Sequence, residues 1–430
     1  MEMSFLTRIL QRYKGKQLQF ISAATGFKRG LGVTRTDTYS AGQLALQRTH
    51  TTKTRRLINP ASPLTIDSII HPRNYTQKAL YHRQETRPEA LNHMVSIKMA
   101  KTNINLIDEV DMFPYAETDP DAFTKMKEGL YTLVWEDSQG TYPIGYILDR
   151  VVKELHQTPE DIRGKMTYDE AEKTIMLFQE STEEERTRRV AALTDYWCQN
   201  GTFPLLRGWR NELWPVYGRT GELLFSMERA AMGLIGTMRY GVHMVAYVKD
   251  KTAPYGIRLW VPTRAQNKST FPGMLDNTVA GGLMTGEDPF ECVIREADEE
   301  ASLPDSIVRK NAKFVGNVTY IFITNEGQVG EGDFIYPECQ WVYHLELSND
   351  VIPQPSDGEA ERFDLCDVDQ VKADLTAGRF KPNCALVTLD FFIRHGILTA
   401  ENEPEIEQIK RRIRRDIPFP GPHQSNWRPL

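Results

Sequence analysis

The run AGGLMTGEDPFECVIREADEEASL, from Ala280 to Leu303, limits what this chain can be more than any other stretch. The glycine pair Gly281-Gly282 opens it, Glu287 lies six residues after Gly281, and Arg295-Glu296 begins eight after Glu287. Glu299-Glu300 follows three positions on. Glu296, Glu299 and Glu300 therefore stand at i, i+3 and i+4, and a helix puts all three side chains on one face. Two such carboxylates about 4 Å apart repel by roughly 4 kcal/mol at an effective dielectric of about 20. A chain that crowds three of them together is expected to hold divalent cations, with hard oxygen ligands suited to magnesium or manganese. An ordinary solvated acidic face would explain the carboxylates. It explains neither the glycines nor the remote Glu287.

Local chemistry predicts a loop followed by a helix. Asp288 can cap it, Pro289 fits its first turn, and Glu291 completes a capping-box spacing. Phe290, Val293, Ile294 and Ala297 supply an apolar face opposite the carboxylates, and Pro304 stops the helix. The whole spacing resembles the Nudix box, G-x5-E-x7-R-E-U-x-E-E-x-G-U with U a bulky aliphatic residue. Gly281, Glu287, Arg295, Glu296, Glu299, Glu300 and Leu303 match it. Ala297 fills the first U weakly, and Ser302 replaces the last glycine. A non-glycine residue takes that left-handed position at a cost of roughly 1–2 kcal/mol, which threatens the helix end more than the metal site.

The resemblance implies water attack on a diphosphate, assisted by magnesium or manganese. Glu296, Glu299 and Glu300 are the expected metal ligands, with the Ala280 carbonyl as a further one. Gly281, Gly282 and Glu287 form the expected diphosphate loop, Glu287 bracing it against the helix. Arg295 is expected to orient a carboxylate rather than touch substrate. The general base is either a box glutamate or a carboxylate of the later stretch SDGEAERF, which offers Asp357, Glu359 and Glu361.

Taken in order, residues 1–94 carry a net charge of about +10 against about −16 for the remainder. This arm opens with an amphipathic basic segment and continues Thr/Ser/Arg-rich and acid-poor. It reads either as a mitochondrial presequence or as a disordered tail, and Met99 could itself serve as a natural start. Residues 100–235 read as a smaller α+β domain of unassigned role. They comprise paired strands in LYTLVWEDSQGTYPIGYIL, a helix over Thr167 to Gln179, a second helix opened by the Thr182/Glu185 capping box, and a hairpin turning at Gly218 to Gly221. Trp209, Trp214 and Tyr217 read as core aromatics, with ring stacking on a ligand as the alternative. Residues 236–400 interleave further strands with helices around the box, which gives an α/β class. The resemblance implies a Nudix-type α/β/α sandwich with a mixed sheet. Residues 401–430 form a basic helix, docked through Ile406, Ile409 and Ile413 or lying on a membrane surface, and a proline-rich tail.

The acidic body argues against nucleic acid as a partner, and no apolar run is long enough to span a membrane. The expected partner is a small-molecule diphosphate; oligomeric state has no signal in the sequence. The five cysteines are scattered without a ligand cluster, which points to reduced thiols in a mitochondrial or cytoplasmic compartment.

Outside the box, IDEVDMFPY, WRNELWPVYG, TFPGMLDNTVAGG and IPFPGPH resemble the thiamine-pyrophosphokinase-related Nudix hydrolases. That resemblance implies conversion of damaged oxo- and oxy-thiamine diphosphates to monophosphates. The pyrophosphokinase domain of some relatives is not expected, since roughly 30 residues follow Gly396. Two rival readings share the box: a pyrophosphatase for nucleoside diphosphate derivatives such as ADP-ribose, and a scaffold that binds without cleaving. Trp260 and Tyr320 are the aromatics considered for stacking on a substrate ring.

Overall fold

The computed structural model describes residues 100–325 and 331–424, all within one compact unit. The basic arm, and with it the presequence reading, lies outside the described residues. Helices α1 (Asn103–Asp108) and α2 (Pro120–Glu128) lead into β1 (Leu130–Asp137) and β2 (Gly140–Leu148), an antiparallel pair. Then come α3 (Asp149–Gln157), α4 (Glu160–Arg163), β3 (Thr167–Asp169) and β4 (Thr174–Met176), closing a four-stranded sheet in the order β2-β1-β4-β3.

The helix expected over Thr167 to Gln179 is therefore a hairpin. The Asp169 carboxylate accepts the amides of Ala171 and Glu172 at 2.9 and 3.1 Å, and Lys173 takes a left-handed φ of 49°. Such side-chain-to-backbone bonds offer the chain a turn in place of a helix. Helix α5 (Glu183–Asn200) begins at Thr182 with both halves of its capping box made. Strands β5 (Leu213–Tyr217) and β6 (Leu223–Glu228) form the expected hairpin, followed by the short α6 (Met232–Ile235). Leu133, Ile147, Leu193, Trp197, Trp214 and Phe225 share one core.

The second sheet contains β7 (Arg239–Lys249), β8 (Ile257–Arg264) and β9 (Val279–Gly282). Helices α7 (Pro289–Ala301) and α8 (Asp305–Asn311) follow, then β10 (Ala312–Ile323), β11 (Ile335–Leu347) and β12 (Ala360–Asp367). Helices α9 (Val368–Thr376), α10 (Pro382–Arg394) and α11 (Ile406–Arg412) close the chain. The strand order is β10-β11-β7-β8-β12, with β9 on the β7 edge; β11 runs parallel to β7 and the other pairs are antiparallel.

Alternation along β7 serves two cores. Val242, Met244 and Ala246 pack with Val293 and Ala297 of α7, whereas Val245 packs with Ala385 and Leu389 of α10. A mixed sheet between helical layers is the result. Trp260 and Tyr320 lie in these cores, the Tyr320 hydroxyl donating to Glu338 at 2.6 Å. Neither is placed to stack on a ligand.

The C-terminal basic helix is shorter than its sequence pattern suggests, seven residues, because the chain turns away after Ile413. Ile406, Ile409 and Ile413 are buried with Leu106 and Ile107 of α1. Docking thus uses up the apolar face that a membrane surface would need. All five cysteines are free, and no helix among the described residues is long and apolar enough to cross a membrane.

Candidate active site

Strand β9, the loop after it and helix α7 bring the box residues together. Asp288 caps α7 by accepting the amides of Phe290 and Glu291 at 2.8 and 3.2 Å. The capping box is not closed: the Glu291 carboxylate turns outward to Arg309, 2.5 Å away. An ion pair wins there over the N-cap amide. Ser302 takes the left-handed conformation, φ 50°, and lets the Leu303 amide return to the Ala297 carbonyl at 3.0 Å.

Gly281 faces Glu296 so closely that a Cβ would lie 2.1 Å from its carboxyl carbon. Any other side chain would displace the carboxylate. Arg295 is the hub of the cluster. It donates to Glu287 at 2.7 and 3.1 Å, and its Nη1 reaches both Glu296 at 2.8 Å and Glu299 at 2.9 Å. Glu287 in turn accepts the Met284 amide at 3.3 Å, which ties the loop to the helix. Glu300 turns the other way and accepts the Ala280 amide at 2.9 Å. Glu296 and Glu299 thus meet at one guanidinium nitrogen, while Glu300 is turned away toward the Ala280 amide. Among the described residues no three acidic, histidine or cysteine side chains are gathered in metal-ligand geometry.

Electrostatics show what this arrangement costs. Burial pushes the Glu296 carboxyl up to about 7; Arg295 opposes the rise, and Glu299 and Glu287 add to it. Burial, then repulsion from Glu296, Asp276 and Glu359, holds Glu300 well above the usual range despite its bond to Ala280. Two buried carboxylates beside a glycine loop, with one arginine shared among three partners, are short of positive charge. A hard divalent cation fits that donor chemistry.

The three later carboxylates separate. Asp357 is occupied within its own turn, accepting the Glu359 amide at 2.8 Å. Glu361 lies on β12 rather than in a loop, and accepts the Gln266 amide at 3.2 Å. Glu359, paired with Lys268 at 2.6 Å, is the one whose charge is felt at Glu300.

Sequence reasoning passed over a second group. Asp276 accepts from Arg264 at 2.6 Å, from the Cys384 thiol at 2.6 Å and from the Asn277 amide at 2.9 Å. Burial alone would raise its carboxyl, yet Lys381 and Arg264 hold it below the usual carboxylate range. Lys381, at the start of α10, keeps its proton against the pull of burial because Asp276 lies near. Asp276 stood in the singled-out run TFPGMLDNTVAGG but had no assigned partner there. Lys381 carried no sequence signal, because its charged neighbours Asp276 and Arg264 come from segments roughly a hundred residues earlier.

Comparison with known proteins gives a family model described as a NUDIX domain over residues 239–384 and a domain of unknown function over residues 132–239. The chain is 35% identical over 321 residues to an uncharacterized protein of Saccharomyces cerevisiae, covering 74% of this chain and 92% of that one. It is 38% identical over 235 residues to Nudix hydrolase 20, chloroplastic, of Arabidopsis thaliana, covering 54% of this chain and 59% of that protein's length. To an uncharacterized Nudix hydrolase of Nostoc it is 30% identical, over 25% of this chain and 67% of the relative.

Proposed function

The chain belongs to the Nudix hydrolase family, and from that premise we propose that it hydrolyses oxidised thiamine diphosphates to monophosphates. The observation that carries diphosphate hydrolysis is the pair of buried, charge-starved carboxylates, Glu296 and Glu300, beside the glycine loop. The thiamine assignment rests on the segments outside the box that resemble the thiamine-pyrophosphokinase-related subfamily, one of which, TFPGMLDNTVAGG, supplies Asp276 and β9 to the site.

Glu296, Glu299, Glu300 and the Ala280 carbonyl would hold magnesium or manganese. The bound cation would neutralise charge developing on the phosphate oxygens and acidify water. Arg295 holds Glu299 through an ion pair at 2.9 Å and would have to share or release it for Glu299 to serve as a ligand. Glu359 accepts the proton of the attacking water, with Lys268 orienting it. Glutamine at Glu359 is expected to lower kcat about a hundredfold, the usual order for a general base. Asparagine at Asp357 and glutamine at Glu361 should stay within about threefold. An intact rate in all three single variants would move the base to a box residue such as Glu296.

Lys381 receives the diphosphate. Its two flanking carboxylates already have arginine partners, Asp276 with Arg264 at 2.6 Å and Glu338 with Arg239 at 3.3 Å. Lys381 is a third cation beside them. Lys381→Met is expected to raise KM by about tenfold or more, the worth of a charge-assisted hydrogen bond, with a smaller effect on kcat. An unchanged KM would remove Lys381 from the substrate site.

The deciding measurement compares cation-dependent hydrolysis of oxothiamine diphosphate, thiamine diphosphate and ADP-ribose, with Glu299→Gln as control. Preference for the oxidised thiamine compound upholds the proposal. Preference for ADP-ribose replaces it with a nucleoside diphosphate pyrophosphatase, and cation binding without turnover on any of them makes the fold a binding scaffold.

A further inference from the structure

The region that precedes the sandwich matches a domain of unknown function over residues 132–239. Its β5–β6 hairpin leans directly on the loop that joins β9 to α7. The Thr285 amide donates to the Leu213 carbonyl at 2.8 Å, and the Thr285 and Ser226 hydroxyls bond at 3.0 Å. The Trp214 ring lies against Gly282, where a Cβ would come within 2.4 Å of its Cζ2. Both ends of that contact are fixed. Trp214 is 4% exposed and sits against the guanidinium groups of Arg229 and Arg239, each about 5 Å from its ring. Ser226 is buried, and its amide is held by Thr187 of α5 at 2.9 Å.

The loop therefore has two anchorages. One is internal to the box, Glu287 with Arg295. The other belongs to the preceding region, and it grips residues 282–285, between Ala280 and Glu287. The Trp214 indole N–H is buried without a partner, so the ring contributes here by its shape and not by a hydrogen bond.

We propose that the β5–β6 hairpin is a positioning element of the hydrolase site: Trp214, Ser226 and the Leu213 carbonyl set the segment 282–285, which joins the end of β9, where the Ala280 carbonyl lies, to Glu287. This rests on the reading of the box as the hydrolytic site. The domain of unknown function thereby acquires a role in catalysis, and Gly282 a reason to be glycine that lies outside the box. A misplacement of about 1 Å in such a loop can cost about a hundredfold in rate.

The test joins a compensation experiment to hydrogen exchange on the full chain. Gly282→Ala should lower kcat about a hundredfold with KM within threefold, because the new methyl meets the ring. Trp214→Leu should lower kcat about tenfold, and the double variant should recover at least tenfold over Gly282→Ala. Trp214→Phe should keep most of the activity, which a requirement for the indole N–H would not allow. Independently of substrate, Trp214→Leu and Ser226→Ala should speed amide exchange in residues 280–287 at least tenfold while leaving β10 and β11 unchanged. Unchanged loop exchange overturns the proposal, as does a loosened loop with intact kcat, or losses that simply multiply in the double variant. Failure of the hydrolase reading would appear separately, as wild-type protein that cleaves no diphosphate; the exchange result would then decide the clamp alone. If Trp214→Leu fails to fold, Ser226→Ala and Thr285→Val carry the same comparison.

Discussion

Glutamine at Glu296 is expected to lower diphosphate hydrolysis by a factor of about 10³ or more and, in cation-free buffer at pH 8, to make the protein more stable. The first effect follows from the proposed role: about 4 kcal/mol of transition-state stabilisation is within what a metal ligand supplies. The second follows from position. Glu296 is 14% exposed, and burial pushes its carboxyl up to about 7, beyond what Arg295 offsets. A carboxyl raised in the folded state binds more protons there than in the unfolded chain. Stability therefore falls as pH rises from about 4.5 to about 7 and stays reduced above that. Removing the charge should recover about 1–3 kcal/mol at pH 8, discounted for the weakened Arg295 contact. Near pH 4.5 the two proteins should converge. Urea titrations at both pH values, without and with magnesium, read this out, since added cation should stabilise the wild type alone. A variant that hydrolyses normally, or is less stable than wild type at pH 8, would remove Glu296 from the ligand set.

Where the sequence was legible, the signal was local. The cap of α7 at Asp288, the left-handed Ser302 and the β5–β6 hairpin are each decided within a few residues, and the structure has all three. The sandwich followed from strand periodicity together with the family resemblance. Where local signals competed, the reading failed: the Asx turn at Asp169 outweighed a helical pattern, and Arg309 took Glu291 from its capping box. The convergence of the three box glutamates was overstated for a related reason. Spacing puts them on one face, yet Arg295 and the Ala280 amide each claim part of the set. Long-range partnerships left no trace. Lys381 beside Asp276 joins the start of α10 to the segment before β9, and Trp214 against Gly282 joins two separate sheets. A single sequence does not encode that in any spacing.

Alanine at Asp111 is expected to cost about 3–5 kcal/mol of stability, the range for leaving one partner of a buried ion pair alone. Asp111 is fully buried and accepts from Arg415 at 2.8 Å, Arg412 at 3.3 Å, the Tyr115 hydroxyl at 2.5 Å and the Ile321 amide at 3.3 Å. Arg415 also donates to the carbonyls of Phe113 and Pro114 at 2.6 and 2.9 Å, and its own amide pairs with Thr319 on β10 at 3.1 Å. The segments IDEVDMFPY and RRDIPFPGPH, near opposite ends of the described residues, are thus fastened to one strand and to each other. That contact gives a physical reason for both segments to be distinctive: neither can bury its charge without the other. Arg415→Ala alone should be nearly as harmful, and the double variant should lose much less than the two losses combined, because it removes both charges together. Hydrolysis per folded molecule should be preserved throughout, since neither residue belongs to the box or to the Asp276 group. Additive losses in the cycle would mean that the pair is incidental and that the hydrogen bonds to Ile321 and Thr319 hold the two segments alone.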